Sequence, residues 1–163
     1  MSARARRYWL FKSEPSAFSW DDLWAAPGRR TSWDGVRNYQ ARNFLREDVR
    51  AGDGVLFYHS GAEPPGVVGV ADVVREAYPD PTQHDPEHPR YDPGSDPAAP
   101  RWWMVDIRAR RPLERFVPLG ELKRTSALSG MGVVQRGQRL SVQPVRAAEW
   151  RAVLRAGGLD PDS

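Results

Sequence analysis

Runs of apolar residues are clearest in the middle of the chain, where residues 55–59 and 67–74 are rich in valine and aromatic side chains. These two runs flank a Pro-Pro-Gly turn and predict a pair of antiparallel strands. Shorter runs predict strands at residues 8–11, 101–110, 113–117 and 140–143. Helices are predicted at residues 20–26, 39–48 and 147–156, with a helical turn at 119–123. Many strands with few short helices indicate an α+β domain with a curled sheet or small barrel.

The segment at residues 78–100 breaks this pattern, since it holds seven prolines among acidic and small residues. Regular structure is not expected there, so we predict a long functional loop or mobile flap that shapes one side of a binding pocket. His84 and His88 superficially offer metal ligands, but the intervening Pro86 prevents the helix that a zinc-binding His pair needs. We therefore predict neither a metal nor a cofactor.

Length and composition indicate one domain at residues 8–157, with a basic tail at 1–7 and a short tail at 158–163. The chain has 163 residues and no cysteine, which excludes disulfides and thiolate metal sites. Residues 8–11 are too few for the apolar core of a signal peptide, and no long apolar run follows. These features predict a cytoplasmic, monomeric protein without a membrane partner.

Charge gives a moderate indication of an anionic partner. The net charge is +3, the isoelectric point is about 9.6, and 22 arginines outnumber two lysines. Guanidinium groups suit phosphates and planar anions. Arginine-rich usage also follows from GC-rich coding, however, and no run of like charge forms an obvious stripe. Charge alone therefore leaves the nucleic-acid hypothesis open.

The segment from Trp33 to Asn43 concentrates aromatic, amide and guanidinium side chains. An aromatic ring can stack on a nucleobase, an amide such as Asn38 can pair with its edge, and arginines can hold phosphates. The spacing taken alone favours a purely structural interpretation: Trp33 in the core at a strand end, Asn38 as a helix N-cap, and Arg42 with Arg46 on a solvated helix face.

Seven tryptophans are present. Apolar neighbours assign Trp9, Trp20, Trp24 and Trp150 to the core or to helix packing. The other three adjoin polar, basic or loop residues, as expected for rings that line a cavity with a wet mouth. They are Trp33, Trp102 and Trp103.

Several motifs, at residues 8–15, 33–43, 55–60, 66–71, 91–93, 101–106 and 140–145, resemble those of the EVE domain family of the PUA-like superfamily. This resemblance implies a mixed β-barrel flanked by short helices. It also implies a non-catalytic pocket that accepts a flipped, methylated or hydroxymethylated base of DNA or RNA. The chain is similar, more distantly, to YTH methyladenosine readers, in which a tryptophan matching Trp33 forms one wall of an aromatic cage.

The resemblance assigns site residues position by position. Arg37 and Arg42 are the expected phosphate contacts. The choice between the two adjacent tryptophans depends on strand facing, which the sequence does not fix. The expected base-pocket residues are Lys12, Ser13, Trp33, Val36, Asn38, Tyr58, His59 and Trp102 or Trp103.

Two other classes of function stay open at this point. One is a nucleic-acid-processing hydrolase that uses His59 and Glu14, which requires the two side chains to converge within hydrogen-bonding reach. The other is a module for a small ligand or protein partner, which predicts an apolar pocket without a basic rim.

Overall fold

The computed structural model describes residues 5–161, so the first four residues of the predicted basic tail lie outside the described part. The described residues form one six-stranded mixed sheet with short helices against it. The strands are β1 Tyr8–Ser13, β2 Arg30–Ser32, β3 Gly54–His59, β4 Gly66–Pro79, β5 Trp103–Pro118 and β6 Val142–Val145. The helices are α1 Trp20–Ala25, α2 Tyr39–Asn43, α3 Leu119–Arg124 and α4 Ala147–Ala156.

The strand order is β2-β5-β4-β3-β1-β6. β1 pairs in parallel with β3 and antiparallel with β6, and the other neighbours are antiparallel. The sheet is not closed, because within residues 5–161 the end strands β2 and β6 pair with β5 and β1 but not with each other. The α+β class is thus confirmed, whereas the barrel is not.

Successive side chains of a strand point to opposite faces, and this alternation places a separate core on each side of the sheet. Phe11 and Phe57 contribute to the first core, together with Trp33 and the segment after α2; we call this side the aromatic face. Leu10 and Leu56 contribute to the second core, which α3 and α4 cover. Trp9, Trp20 and Trp150 are buried as predicted, and the half-buried Trp24 packs against the aromatic-face core.

Several elements of the structure differ from the sequence-based prediction. β2 was not predicted, because its three polar residues carry no apolar alternation. The predicted strands 101–110 and 113–117 form one strand, β5, which tolerates Pro112 because register shifts interrupt its ladder with β4. The predicted helix 39–48 is α2 followed by a π-helical turn, Phe44–Asp48. No helix in the described part is long and apolar enough to cross a membrane.

Candidate nucleic-acid interface

The ends of β1 and β3 bring four predicted site residues together. Their parallel register sets Lys12 beside Tyr58 and Ser13 beside His59. Because side chains alternate, Ser13 and His59 belong to the aromatic face, whereas Lys12 and Tyr58 belong to the opposite one. The residues are adjacent in the sheet, yet they divide between its two sides.

His59 is fixed by the start of α1. Its Nε2 accepts the Trp20 backbone N–H at 3.0 Å, so the neutral ring carries its proton on Nδ1. Burial lowers the pKa of His59, an effect that Asp21 partly offsets. The Ser13 hydroxyl donates to the Phe18 carbonyl just before the helix. Both side chains therefore fix the backbone that leads into α1.

Trp33 lies directly after β2, where its backbone N–H donates to the Val105 carbonyl at 2.7 Å. Its ring meets Phe57 edge-on at 5.5 Å and Phe11 at 5.3 Å, and only 7% of the residue is exposed. Val36 is buried in the same cluster. The structural interpretation of Trp33 as a core residue at a strand end is confirmed.

Asn38 is the N-cap of α2, since its Oδ1 accepts the Ala41 N–H at 3.0 Å. This too is what the structural interpretation expected. The exposed side chain keeps its amide NH2 group for other partners, because the cap uses only the oxygen.

Lys12 and Tyr58 form the pair on the opposite side. The Lys12 Nζ lies 5.9 Å from the centre of the Tyr58 ring. Burial raises the pKa of Tyr58 to about 12 and lowers that of Lys12. This pair does not share a face with Trp33.

Arg37 is occupied within the protein. Its Nε and Nη2 donate to the Arg90 carbonyl, Nη2 also donates to the Thr82 hydroxyl, and Nη1 donates to the Val36 carbonyl and to Asp80. These five bonds match the five N–H groups of a guanidinium. In this conformation no N–H group of Arg37 is therefore left for the predicted phosphate contact. Arg37 instead connects the Pro-rich loop to the Trp33 segment.

Asp80 is the fully buried partner of Arg37, at 3.2 Å. It also accepts the Gly35 N–H at 2.8 Å and two bonds from Thr82. Burial raises the pKa of Asp80, but these hydrogen bonds outweigh burial and hold it below the usual carboxyl value. Asp80 is not among the predicted site residues, although an Asp before Pro-Thr is a recognisable turn signal.

The two adjacent tryptophans have different surroundings. Trp102 lies just before β5, donates from Nε1 to Asp92 at 2.7 Å and stacks on Tyr39 at 5.0 Å. Trp103 is two residues before Val105 in β5, so both side chains lie on the aromatic face. The buried indole nitrogen of Trp103 has no hydrogen-bond partner in residues 5–161. Of the two, Trp103 shares the face of Trp33.

Arg42 differs from Arg37 in keeping donors. Its Nη1 donates to the Arg101 carbonyl, while Nε and Nη2 donate to Asn43. One N–H on each terminal nitrogen stays available by this count. Its guanidinium lies 4.8 Å from the ring of Tyr39, which is 54% exposed. Tyr39 was missed as a site residue, although it follows Asn38 in the same motif.

The prediction that residues 78–100 lack regular structure is wrong at their start, because β4 runs to Pro79 and a 3-10 helix spans Pro81–His84. Polar contacts also hold this Pro-rich loop. The buried Gln83 side chain donates to the carbonyls of Asp80 and Trp102 and accepts from Trp102 N and the Ser95 hydroxyl.

In the part of the chain that the structure describes, no group of three or more His, Cys, Asp or Glu side chains is placed to hold a metal ion. A depression of about 300 Å³ lies elsewhere, at the start of β1, lined among others by Arg7 and Phe44.

Fold and site together define a small α+β module whose aromatic, arginine-bearing segment joins the sheet to a polar loop. The EVE domain matches residues 7–156, and the chain belongs to that family. It is 44% identical to human thymocyte nuclear protein 1 over 90% of this chain and 72% of that protein.

Solved structures agree with this assignment. The human THYN1 protein in complex with 5-methylcytosine-containing DNA is 43% identical, with a TM-score of 0.87 over 95% of this chain and 99% of that one. The YTH domain of Zygosaccharomyces rouxii MRB1, solved with N6-methyladenosine RNA, has a TM-score of 0.52 at 14% identity over 95% of this chain and 88% of that one. This second likeness concerns the fold alone.

Proposed function

We propose that this protein is a non-catalytic reader of a modified base in nucleic acid. The observation that carries the proposal is the 43% identity, over nearly the whole chain, to a protein solved with 5-methylcytosine-containing DNA. We infer that Trp33, in the segment after β2, is the aromatic wall. Ser13 and His59 lie on the same face of the sheet, and Asn38 keeps a free amide donor for a base edge.

Base flipping is the mode of access that we propose. Taking a base out of a stack costs a few kcal/mol, and stacking on an aromatic ring returns about 1 to 3 kcal/mol. A single added methyl group contributes about 0.8 kcal/mol of burial, which corresponds to a preference of about fourfold. Any larger preference must come from polar contacts or from the shape of the pocket.

The proposed roles of the two arginines now separate. Arg42 is the better phosphate contact, since it keeps free N–H groups beside the exposed Tyr39 ring. Arg37 is a positioning residue that fixes the segment after Trp33 against the loop. Trp103 is preferred to Trp102 as the further ring near Trp33, because its indole N–H lacks a partner among the described residues.

A hydrolytic role receives no support from this geometry. His59, the general base that hydrolysis would need, uses its Nε2 lone pair to accept the Trp20 N–H. Within residues 5–161 no hydrogen bond joins His59 to Glu14, so the required acid–base pair is not assembled there. The observed positions of these side chains are therefore closer to what base reading needs than to what hydrolysis needs.

The decisive experiment compares oligonucleotides that differ only in one modified base. Fluorescence anisotropy should be measured for single- and double-stranded DNA and RNA carrying cytosine, 5-methylcytosine, 5-hydroxymethylcytosine, adenine or N6-methyladenine. We expect tighter binding of at least one modified ligand than of its unmodified counterpart. Trp33→Phe should reduce that preference, because a smaller ring covers less of the base.

Trp150→Phe is the matched control, since Trp150 is equally aromatic and buried but lies under α4 on the opposite face. It should lower stability without changing which base is preferred. Equal affinity of the wild-type protein for every modified and unmodified pair contradicts the proposal. An unchanged preference in folded Trp33→Phe removes Trp33 from the site.

A further inference from the structure

Five arginines converge on the side of the sheet that faces away from Trp33, at the end formed by β2, β5 and β4. Arg108 and Arg110 alternate with Ile107 and Ala109, which belong to the aromatic-face core, so the two arginines point to the other side. The register places Arg30 and Asp72 on either side of Arg108, and Arg75 beside Asp106. We call this surface the arginine face: Arg6, Arg30, Arg75, Arg108 and Arg110.

The arginine face carries an excess of positive charge. Its carboxylate contacts are Asp72, which serves both Arg6 and Arg110, and Asp106, which binds Arg30. Five guanidinium groups against two carboxylates leave three positive charges. Arg108 has no ion-pair partner among the described residues, and its direct neighbour across β2 is another arginine. Like charges opposite one another weaken a sheet, so folding does not explain this arrangement.

The arginine face is also left open by the helices on that side. Trp150 of α4 closes over Gly54 in β3, and Leu113 at the far end of β5 packs against Gly157. Arg30, Arg108 and Arg110 lie beyond this cover and are exposed. Alternate residues on one strand are about 6.8 Å apart and neighbouring strands about 4.8 Å, so the arginines of β2, β4 and β5 spread over a broad surface.

We propose that the arginine face binds the phosphodiester backbone of nucleic acid, as a second contact separate from the base pocket. Guanidinium groups pair with phosphate oxygens in a bidentate way, and such contacts carry no base preference. β2 is an edge strand that links the two sites: Arg30 at its start belongs to the arginine face, and Trp33 follows its end. Three residues of strand span about 10 Å, so one oligonucleotide that passes around this edge reaches both.

This inference rests on the proposed function, and its test uses the full chain. The double variant Arg108→Gln, Arg110→Gln is compared with Arg151→Gln, Arg155→Gln, which removes the same charge from exposed positions of α4. Binding of modified and unmodified oligonucleotides is measured between about 50 and 300 mM salt. Each lost phosphate contact lowers the slope of log affinity against log salt by about 0.7 to 0.9.

We expect the Arg108, Arg110 variant to lose about 1.4 to 1.8 from the salt slope, equally for both ligands, while the ratio of their affinities stays as in the wild type. The α4 variant should lose less than about 0.5. Circular dichroism should show both variants folded, because all four side chains are exposed. Arg108→Lys, which keeps the charge, should keep the slope.

Four results overturn the inference. An unchanged slope in the Arg108, Arg110 variant removes the backbone contact while the base reader stands. Equal losses in the two double variants assign the effect to net charge alone. Displacement of the oligonucleotide by less poly-glutamate than unlabelled oligonucleotide, compared at equal charge, assigns the face to an acidic protein. A wild-type protein that binds no oligonucleotide overturns the proposed function, and this inference with it.

Discussion

The aromatic cluster around Trp33 and the Pro-rich loop after β4 adjoin the same segment, but different forces hold them. Around Trp33 the contacts are ring against ring, with Phe11 and Phe57. In the loop the contacts are hydrogen bonds to the buried side chains of Asp80 and Gln83. Packing tolerates small changes of shape, whereas a buried carboxylate tolerates no loss of its partners. The two halves of the candidate site should therefore fail in different ways.

Truncating the aromatic wall should cause one of the two largest losses. Trp33→Ala removes a buried ring from the core and should lower the free energy of unfolding by about 3 to 5 kcal/mol. Urea denaturation at neutral pH measures this loss, and Trp33→Phe should retain most of the stability. A loss below about 1 kcal/mol for Trp33→Ala would mean that the ring is not part of the core packing.

Breaking the ion pair of the loop should cost a comparable amount for a different reason. Asp80→Ala leaves the Arg37 guanidinium without its carboxylate, and removal of one partner of a buried pair costs about 3 to 5 kcal/mol. Asp34→Asn is the control: burial and the nearby Asp80 carboxylate raise the pKa of Asp34, so losing that charge relieves repulsion. It should leave the urea midpoint unchanged or raise it.

Replacing both partners sharpens the distinction. Arg37→Met with Asp80→Leu leaves no unpaired charge, so this double variant should be more stable than Asp80→Ala by at least about 1 kcal/mol. In the aromatic cluster no second substitution of this kind should restore stability, because the cavity left by Trp33→Ala stays unfilled. If the double variant is no better than Asp80→Ala, the loop depends on the hydrogen bonds of Asp80 rather than on its charge.

Acid should weaken the loop before it weakens the aromatic cluster. The pKa of Asp80 is lower in the folded chain than the usual 3.8, so its stabilising effect is complete above that value and disappears as the pH falls through the folded pKa. Each tenfold difference in acidity between folded and unfolded carboxyl corresponds to about 1.4 kcal/mol. Unfolding followed from pH 6 to pH 2 should show this loss in the wild type and a smaller one in the Arg37→Met, Asp80→Leu variant.

The smallest effect is expected where the two regions meet at the surface. Tyr39→Leu removes a half-exposed ring that stacks on Trp102, and an aromatic pair contributes about 0.5 to 1.5 kcal/mol at most. Stability should thus change by less than about 1 kcal/mol, while affinity for oligonucleotides falls if Arg42 and Tyr39 face the ligand. Unchanged affinity places the ligand away from α2.

The sequence predicted the elements that have a clear apolar run or a helical pattern and missed those whose partners are distant. Apolar runs identified β1 and β3, and Ala147–Ala156 is the predicted last helix. β2 escaped detection because Arg30–Ser32 has no apolar side, and only β5 defines it as a strand. The position of a pairing partner is not encoded in a local pattern.

The candidate site shows the same division. Local capping chemistry identified Asn38, which the structure confirms as the N-cap of α2. Most contacts of Arg37 could not be read from the sequence, because all its acceptors except the Val36 carbonyl lie more than forty residues away, at Asp80 and beyond. The arginine face was missed for the same reason. Its members come from four separate segments, so the sequence contains no run of like charge that would indicate it.

The position of β1 between β3 and β6 has a consequence for synthesis of the chain. Tyr8 pairs with Gly54 on one side and with Val145 on the other, so β1 receives its second neighbour only after Val145 has been made. Contacts of such long sequence separation close late and fold slowly. Until then Trp9 and Phe11 lack Val142 of β6, which belongs to the same core, while the chain is still bound to the ribosome. A protein with this strand order depends on its C-terminal strand to complete a sheet that its first strand begins.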